Sequence, residues 1–144
     1  MKNESLTAAQ AVLEIIPLIM HSLRANFRQP DGLPNPTHFP LLFTLLEGPH
    51  NLRELAEKLN VTPPTMSNSI TTLCEHGLVQ RTPAQDDRRR VVIQLTPPGR
   101  QLLARIQSQA EDRISELLAP LSHEEQRQLI DGLAILKRAF TRNF

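Results

Sequence analysis

The chain of 144 residues has no tryptophan, no tyrosine and one cysteine, Cys74. Each shortage removes a class of function. Aromatic residues make up 3% of the chain, too few for the stacking platforms that hold single-stranded nucleic acids. One thiol cannot close an internal disulfide. Together with five scattered histidines it makes no Cys/His spacing suited to zinc, so no metal is expected. There is no glycine-rich phosphate loop, no HExxH and no nucleophile motif, and "SHEEQ" at Ser122 to Gln126 is better explained as a helix cap. Neither an enzyme nor a cofactor is expected. The apolar run near the start is interrupted by Glu14 and Pro17 and has no small-residue cleavage site. No stretch is expected to approach the length of a membrane span, which points to a cytoplasmic protein with no membrane partner.

What is present is ordinary for a folded domain, with 40% hydrophobic and 22% charged residues in a length that suits one compact unit. The formal net charge is +1, but its distribution is uneven. Residues 81–100 hold Arg81, Arg88, Arg89, Arg90 and Arg100 against Asp86 and Asp87, so the rest of the chain is slightly acidic. Positive charge gathered in one short segment is the footprint expected for a polyanion.

Leu6, Ala9, Leu13, Ile16, Met20, Leu23 and Phe27 recur at steps of three and four, the seam of a long amphipathic helix that Pro17 should kink. "QPDGLPNP", Gln29 to Pro36, ends it, and a short second helix in "FPLLFTLLEG" closes on Gly48. Asn51 and Glu54 resemble a capping box, after which Leu52, Leu55, Ala56 and Leu59 make one face of a helix about two turns long. Asn60 tolerates the left-handed turn that stops it, Thr62 caps the next helix, and Pro63 at its first position forfeits no hydrogen bond. Met66, Ile70, Leu73 and Cys74 form the buried face of that helix. Its opposite face carries Thr65, Ser67, Asn68, Ser69, Thr71 and Thr72, with no charge before Glu75.

Two short helices joined by a tight turn make a helix-turn-helix. Surface helices usually carry Lys and Glu, so a face of Ser, Thr and Asn, all poor helix formers, needs another reason. Short neutral side chains can enter a major groove without repelling phosphates and can reach base edges. "GLVQRT" and "VVIQL" then read as a two-stranded ribbon, with Val91, Ile93 and Leu95 on one face and "PAQDDRRR" at its tip. On the same side of this ribbon, Asp87 is expected to brace Arg89 by a bidentate pair for insertion into a minor groove, while Arg88 and Arg90 meet phosphates.

Thr96 caps a further helix with Pro97 and Pro98 in its first turn, and its apolar seam is Leu103, Ile106, Ala110, Ile114, Leu117 and Leu121. "SHEE" is a capping box for the last helix, where Leu129, Leu133, Leu136 and Phe140 form a stripe beside Ile130 and Ile135. The wide apolar faces at both ends have more to bury than one winged helix covers, which favours a homodimer. The expected fold is mainly α with a small β-wing, a winged helix-turn-helix with N- and C-terminal dimerisation helices. Residues 1–34 and 97–144 form the dimerisation region and residues 35–96 the DNA-binding region.

The order "LRELAEKLNVTPPTMSNSITTLCEHGLVQR", "DDRRRVVIQLTPPG" and two C-terminal helices resembles the MarR family of winged helix-turn-helix transcriptional regulators over nearly the whole chain. The resemblance implies a homodimer on a pseudo-palindromic double-stranded operator, usually repressing and released by a small ligand. It matches Ser67 and Asn68 to base-facing positions, and Asp87 and Arg89 to the acid and arginine of the wing. Asn68 departs from the arginine frequent at its position, and asparagine reads adenine more naturally than guanine. The family's anionic or phenolic effectors imply a cleft to which His21, Arg24 and His38 are the candidate contacts. The alternative is a winged helix that binds protein and not DNA, which has no need of Arg88 to Arg90. Oxidant-sensing relatives usually place their cysteine in the first helix, whereas Cys74 is expected on a buried face as a small inert hydrophobe.

Overall fold

The computed structural model describes residues 2–26 and 32–142. Helix α1 (Lys2–Asn26) runs as one element through Pro17, and Phe27 and Gln29 to Asp31 lie outside the described residues. Asn3–Arg24 is long and apolar enough to cross a membrane by length and composition, which corrects the expectation drawn from Glu14 and Pro17. Proline does not break this helix, and one glutamate in a run of Leu, Ile, Val and Ala does not offset its neighbours. Leu6, Leu13, Ile16 and Met20 of the expected seam are all exposed.

The expected second helix is divided in two and preceded by a further turn. A 3₁₀ turn (Pro36–His38) starts where the Asn35 side chain accepts from the Thr37 amide at 2.9 Å. Helix α2 (Phe39–Thr44) follows, then a second 3₁₀ turn (Leu45–Glu47), the tightening common at helix ends. Gly48 at φ +140° ends the segment in a conformation that L side chains rarely adopt.

Helices α3 (Leu52–Lys58) and α4 (Pro63–Glu75) form the helix-turn-helix. The Asn51 carboxamide accepts from the Glu54 amide at 2.8 Å and donates back to its carboxylate at 2.9 Å. The expected capping box is thus closed by the asparagine side chain on both sides. Asn60 adopts φ +52° in the turn, and Thr62 caps α4 with Pro63 at its first position.

Strands β1 (Val79–Pro83) and β2 (Val91–Leu95) pair antiparallel, with Val79 opposite Leu95 and Arg81 opposite Ile93. The ribbon is wider at its base than two strands. His50 pairs with the free side of Ile93, donating its N–H at 3.1 Å and accepting at 2.7 Å. Ile93 and Leu95 are buried as expected, while Val91, nearer the tip, is exposed.

Helix α5 (Pro97–Leu118) departs from the ribbon through a joint built by Thr96. Its amide donates to Leu78 O at 3.1 Å, its hydroxyl donates to Gly77 O, and its Oγ1 accepts from the Gly99 amide at 3.2 Å. A Cβ on Gly99 would lie 2.1 Å from Leu78 O, so the close approach of α5 requires glycine there. Helix α6 (His123–Thr141) begins with the expected Ser122/Glu125 capping box.

The chain divides into two compact units, Met1–Gln107 and Ser108–Phe144. In the first, Leu42, Leu45, Leu55, Ile70 and Leu73 are fully buried, each stabilising by roughly 1.5–3 kcal/mol relative to exposure. Val79, Ile93, Leu102, Leu103 and Ile106 complete the same cluster, so one core holds both the helix pair and the ribbon base. In the second, Gln126 donates to Leu118 O and Leu121 O at 3.3 and 3.2 Å. Among the described residues α6 buries no side chain, and Ile130, Leu133, Ile135 and Phe140 are all more than half exposed.

Candidate nucleic-acid interface

Helix α4 turns Met66, Ile70 and Leu73 into the core, with Cys74 half-buried at its edge. Thr65, Asn68 and Thr71 are exposed on the other side, and Ser67, Ser69 and Thr72 are half-exposed along its flanks. The helix carries no cation and its one charge is Glu75. Hydroxyl groups on this face are partly occupied. Thr65 Oγ1 accepts from the capping Thr62 hydroxyl at 2.9 Å, and Thr72 donates to Asn68 O at 3.1 Å. The Asn68 carboxamide has no hydrogen-bond partner among the described residues, so both of its ends remain available to one partner outside the chain.

The tip of the ribbon is a turn and not an extension of the strands. Arg90 N donates to Asp87 O at 3.0 Å, and the Arg89 amide donates to Asp87 Oδ1 at 3.0 Å, an Asx turn. Arg89 Nε lies 3.6 Å from the same oxygen. The pairing of Asp87 with Arg89 therefore comes from local turn chemistry and not from strand alternation, and it is a single contact where a bidentate one is expected. The Arg89 side chain is 94% exposed, so the contact orients a guanidinium that is otherwise in solvent. Arg90 is engaged with Asp86 at 3.4 Å, and Arg88 has no ion-pair partner among the described residues. One acid is thus spent on Arg90, one on Arg89, and Arg88 stands as the unneutralised cation of the tip.

A contact that sequence reasoning missed joins the two elements. Arg81 on β1 donates to Thr71 Oγ1 at 3.2 Å and to Cys74 Sγ at 3.6 Å, both on α4. The signal was available in part, because Arg81 sits two residues after Val79 and so shares the ribbon face that turns toward the core.

Of the residues proposed for an effector, His21 and Arg24 are exposed on α1, and no hydrogen bond or ion pair joins them to His38 among the described residues. His38 is 8% exposed, and its Nδ1 is buried without a partner. Burial, then the nearby His76, pushes the His38 pKa below its ordinary value. No group of three or more His, Cys, Asp or Glu side chains among the described residues could hold a metal ion.

A model of the MarR family matches residues 35–91, the helix-turn-helix and the ribbon up to the start of β2. A structure described as a probable transcriptional regulator from Pseudomonas aeruginosa is 32% identical, covering 85% of this chain and 93% of that one with a TM-score of 0.55. The chain belongs to the MarR family. A transcriptional regulator of Thermotoga maritima is 26% identical with a TM-score of 0.78 over 96% of this chain and 97% of that one. An uncharacterised HTH-type transcriptional regulator of Bacillus subtilis, YfiV, is 29% identical over 92 residues, which are 64% of this chain and 58% of that protein. The chain therefore spans less than two thirds of this curated relative. The family and the relatives named above are transcriptional regulators.

Proposed function

We propose that this MarR-family regulator is a cytoplasmic homodimer that binds a pseudo-palindromic operator in double-stranded DNA. Residues 35–96 contact DNA, and residues 1–34 and 97–144 hold the two copies together. The observation that carries the reading is the pairing of a cation-free polar helix face, with Asn68 unoccupied, and a ribbon tip whose Arg89 is oriented by Asp87 and exposed.

Helix α4 lies in the major groove, where Thr65, Ser67, Asn68, Ser69 and Thr72 face bases or the adjoining backbone. Two copies set these helices about 34 Å apart, one turn of the duplex. Arg89 enters the minor groove, whose potential is most negative where it is narrow. Arg88 is the readiest phosphate contact of the tip, and Arg90 must leave Asp86 to become one. Binding represses transcription, and a small anionic or phenolic effector held near His21, Arg24 and His38 releases it. The unpartnered Nδ1 of His38 supports that residue more than the other two.

The test is binding of the full chain to the adjacent intergenic DNA and to random duplex, with and without aromatic acids. Asn68→Ala is expected to cost roughly 1–3 kcal/mol on the operator and little on random DNA. Equal loss on both would reassign Asn68 to a phosphate. Absence of duplex binding even at low salt would leave a protein-binding winged helix instead.

A further inference from the structure

The two elements proposed to meet DNA are separate pieces of chain, and a contact in each groove requires that their spacing be held. The core does part of this. Val79 and Ile93 on the ribbon and Ile70 and Leu73 on α4 are buried in one cluster. That cluster ends at the base of the ribbon, and beyond it the next position of β1 on the Val79 face is Arg81, which is exposed and lies opposite the buried Ile93.

An arginine there is set by geometry. Residues 79 and 81 share a ribbon face, so the Arg81 stem leaves the strand toward α4, at the margin of the core, and its guanidinium emerges on the helix flank. Ser67, Thr71 and Cys74 lie along that flank at steps of four and three, the spacing that places side chains on one line. The guanidinium takes two of the three, with Nη2 on Thr71 Oγ1 at 3.2 Å and Nη1 on Cys74 Sγ at 3.6 Å. Sulfur is a weak acceptor, so the Thr71 bond is the stronger. The planar fork spans two acceptors separated along the helix, which the point charge of lysine does not do.

We propose that Arg81 is a positioning residue, a strap that fixes the ribbon against the flank of α4 so that the helix and the arginine tip address the two grooves as one rigid piece. It rests on the reading of α4 and the ribbon as the DNA-binding surface. Arg81 acts through Thr71 and Cys74 and does not itself neutralise a phosphate. Its loss therefore spares non-specific attraction and lowers discrimination between operator and random DNA.

The test uses the full chain carrying Arg81→Ala, Arg81→Lys, Thr71→Val, or Arg81→Ala with Thr71→Val. In the free protein, amide hydrogen exchange is read over α4 and both strands by mass spectrometry. Arg81→Ala should speed exchange in both segments, and Thr71→Val should do so less. On DNA, Arg81→Ala should lower the ratio of operator to random affinity about tenfold, the scale of one lost hydrogen bond to a charged group, with the salt slope unchanged. The double variant should be no worse than Arg81→Ala, and Arg81→Lys should fail to restore the ratio. A salt slope reduced by about 1, with lysine restoring affinity, makes Arg81 a phosphate contact and overturns the strap. Exchange unchanged in the free protein, or an unchanged ratio where the parent chain does bind, overturns it as well. If the parent chain binds no duplex, the DNA-binding reading fails while the exchange measurement still decides the contact.

Discussion

At the scale of single residues, Gly99 and His38 show how position outweighs identity. Helix propensity alone says that Gly99→Ala should stabilise α5, by up to about 1 kcal/mol. The added methyl would sit 2.1 Å from Leu78 O, and that atom belongs to backbone already bonded to Thr96 N. Steric cost prevails, and Gly99→Ala is expected to destabilise by about 1–3 kcal/mol, the usual penalty of overpacking, read as a lower denaturant midpoint. An unchanged or raised midpoint would mean that α5 can withdraw from the ribbon at no cost. His38 makes a prediction in pH. Its folded pKa is below the ordinary 6.5, so the folded state binds fewer protons than the unfolded one as pH falls through that value. Stability should then decline on acidification from pH 7.5 toward 5.5. His38→Leu should flatten that decline, and an equally steep one would clear His38 of the effect. The wing tip offers a third test at this scale. Arg89→Ala should weaken binding to all duplexes and reduce the salt slope by about 1. An unchanged slope would remove Arg89 from the minor groove.

Elements follow from signals a few residues apart, and these were mostly legible. Asn51, Thr62 and Ser122 are N-caps because each side chain needs to reach only the amide three residues on. The α6 box is complete, with the Glu125 carboxylate accepting from the Ser122 amide at 2.8 Å and the Glu125 amide donating to Ser122 Oγ at 3.2 Å. The bonds from the Ser122 backbone, then from its side chain, hold the Glu125 carboxyl below its usual range. This contribution is present above the ordinary carboxylate value and is lost as pH falls through the depressed one. Ser122→Ala should lower the stability of α6 by about 0.5–2 kcal/mol, measured by circular dichroism on thermal melting. No change in the melt would show that α6 is held by packing alone. Reading elements from local signals fails where a segment is shorter than its pattern. "FPLLFTLLEG" reads as one helix, yet after six α-helical residues its C-terminal end tightens to a 3₁₀ turn. The tip misled in another way. Alternation along a strand puts Asp87 and Arg89 on one side, but both lie past the last paired residues, Pro83 and Val91, and the pairing arises from an Asx turn.

For the whole molecule, the question is what covers α1 and α6. Leu13, Leu18, Leu133 and Phe140 are each more than half exposed in the lone chain, and exposed apolar faces of this extent mark an interaction surface. If a second copy covers them, Leu133→Asp should shift the chain from dimer to monomer at micromolar concentration in sedimentation. A dimer that persists unchanged would place the interface elsewhere. By itself, the sequence determined the helix-turn-helix, its caps, the neutral face of α4, the arginine tip and the family, because each depends on residues adjacent along one chain segment. Only the tertiary structure decided that Arg81 reaches Thr71 and Cys74, that His50 pairs with Ile93, that Arg90 is engaged by Asp86, that His38 is buried, and that Gly99 must lack a side chain. Arg81, His50, His38 and Gly99 owe their contacts to segments brought together by one shared core. Periodicity reports which face a residue occupies and not what lies opposite that face.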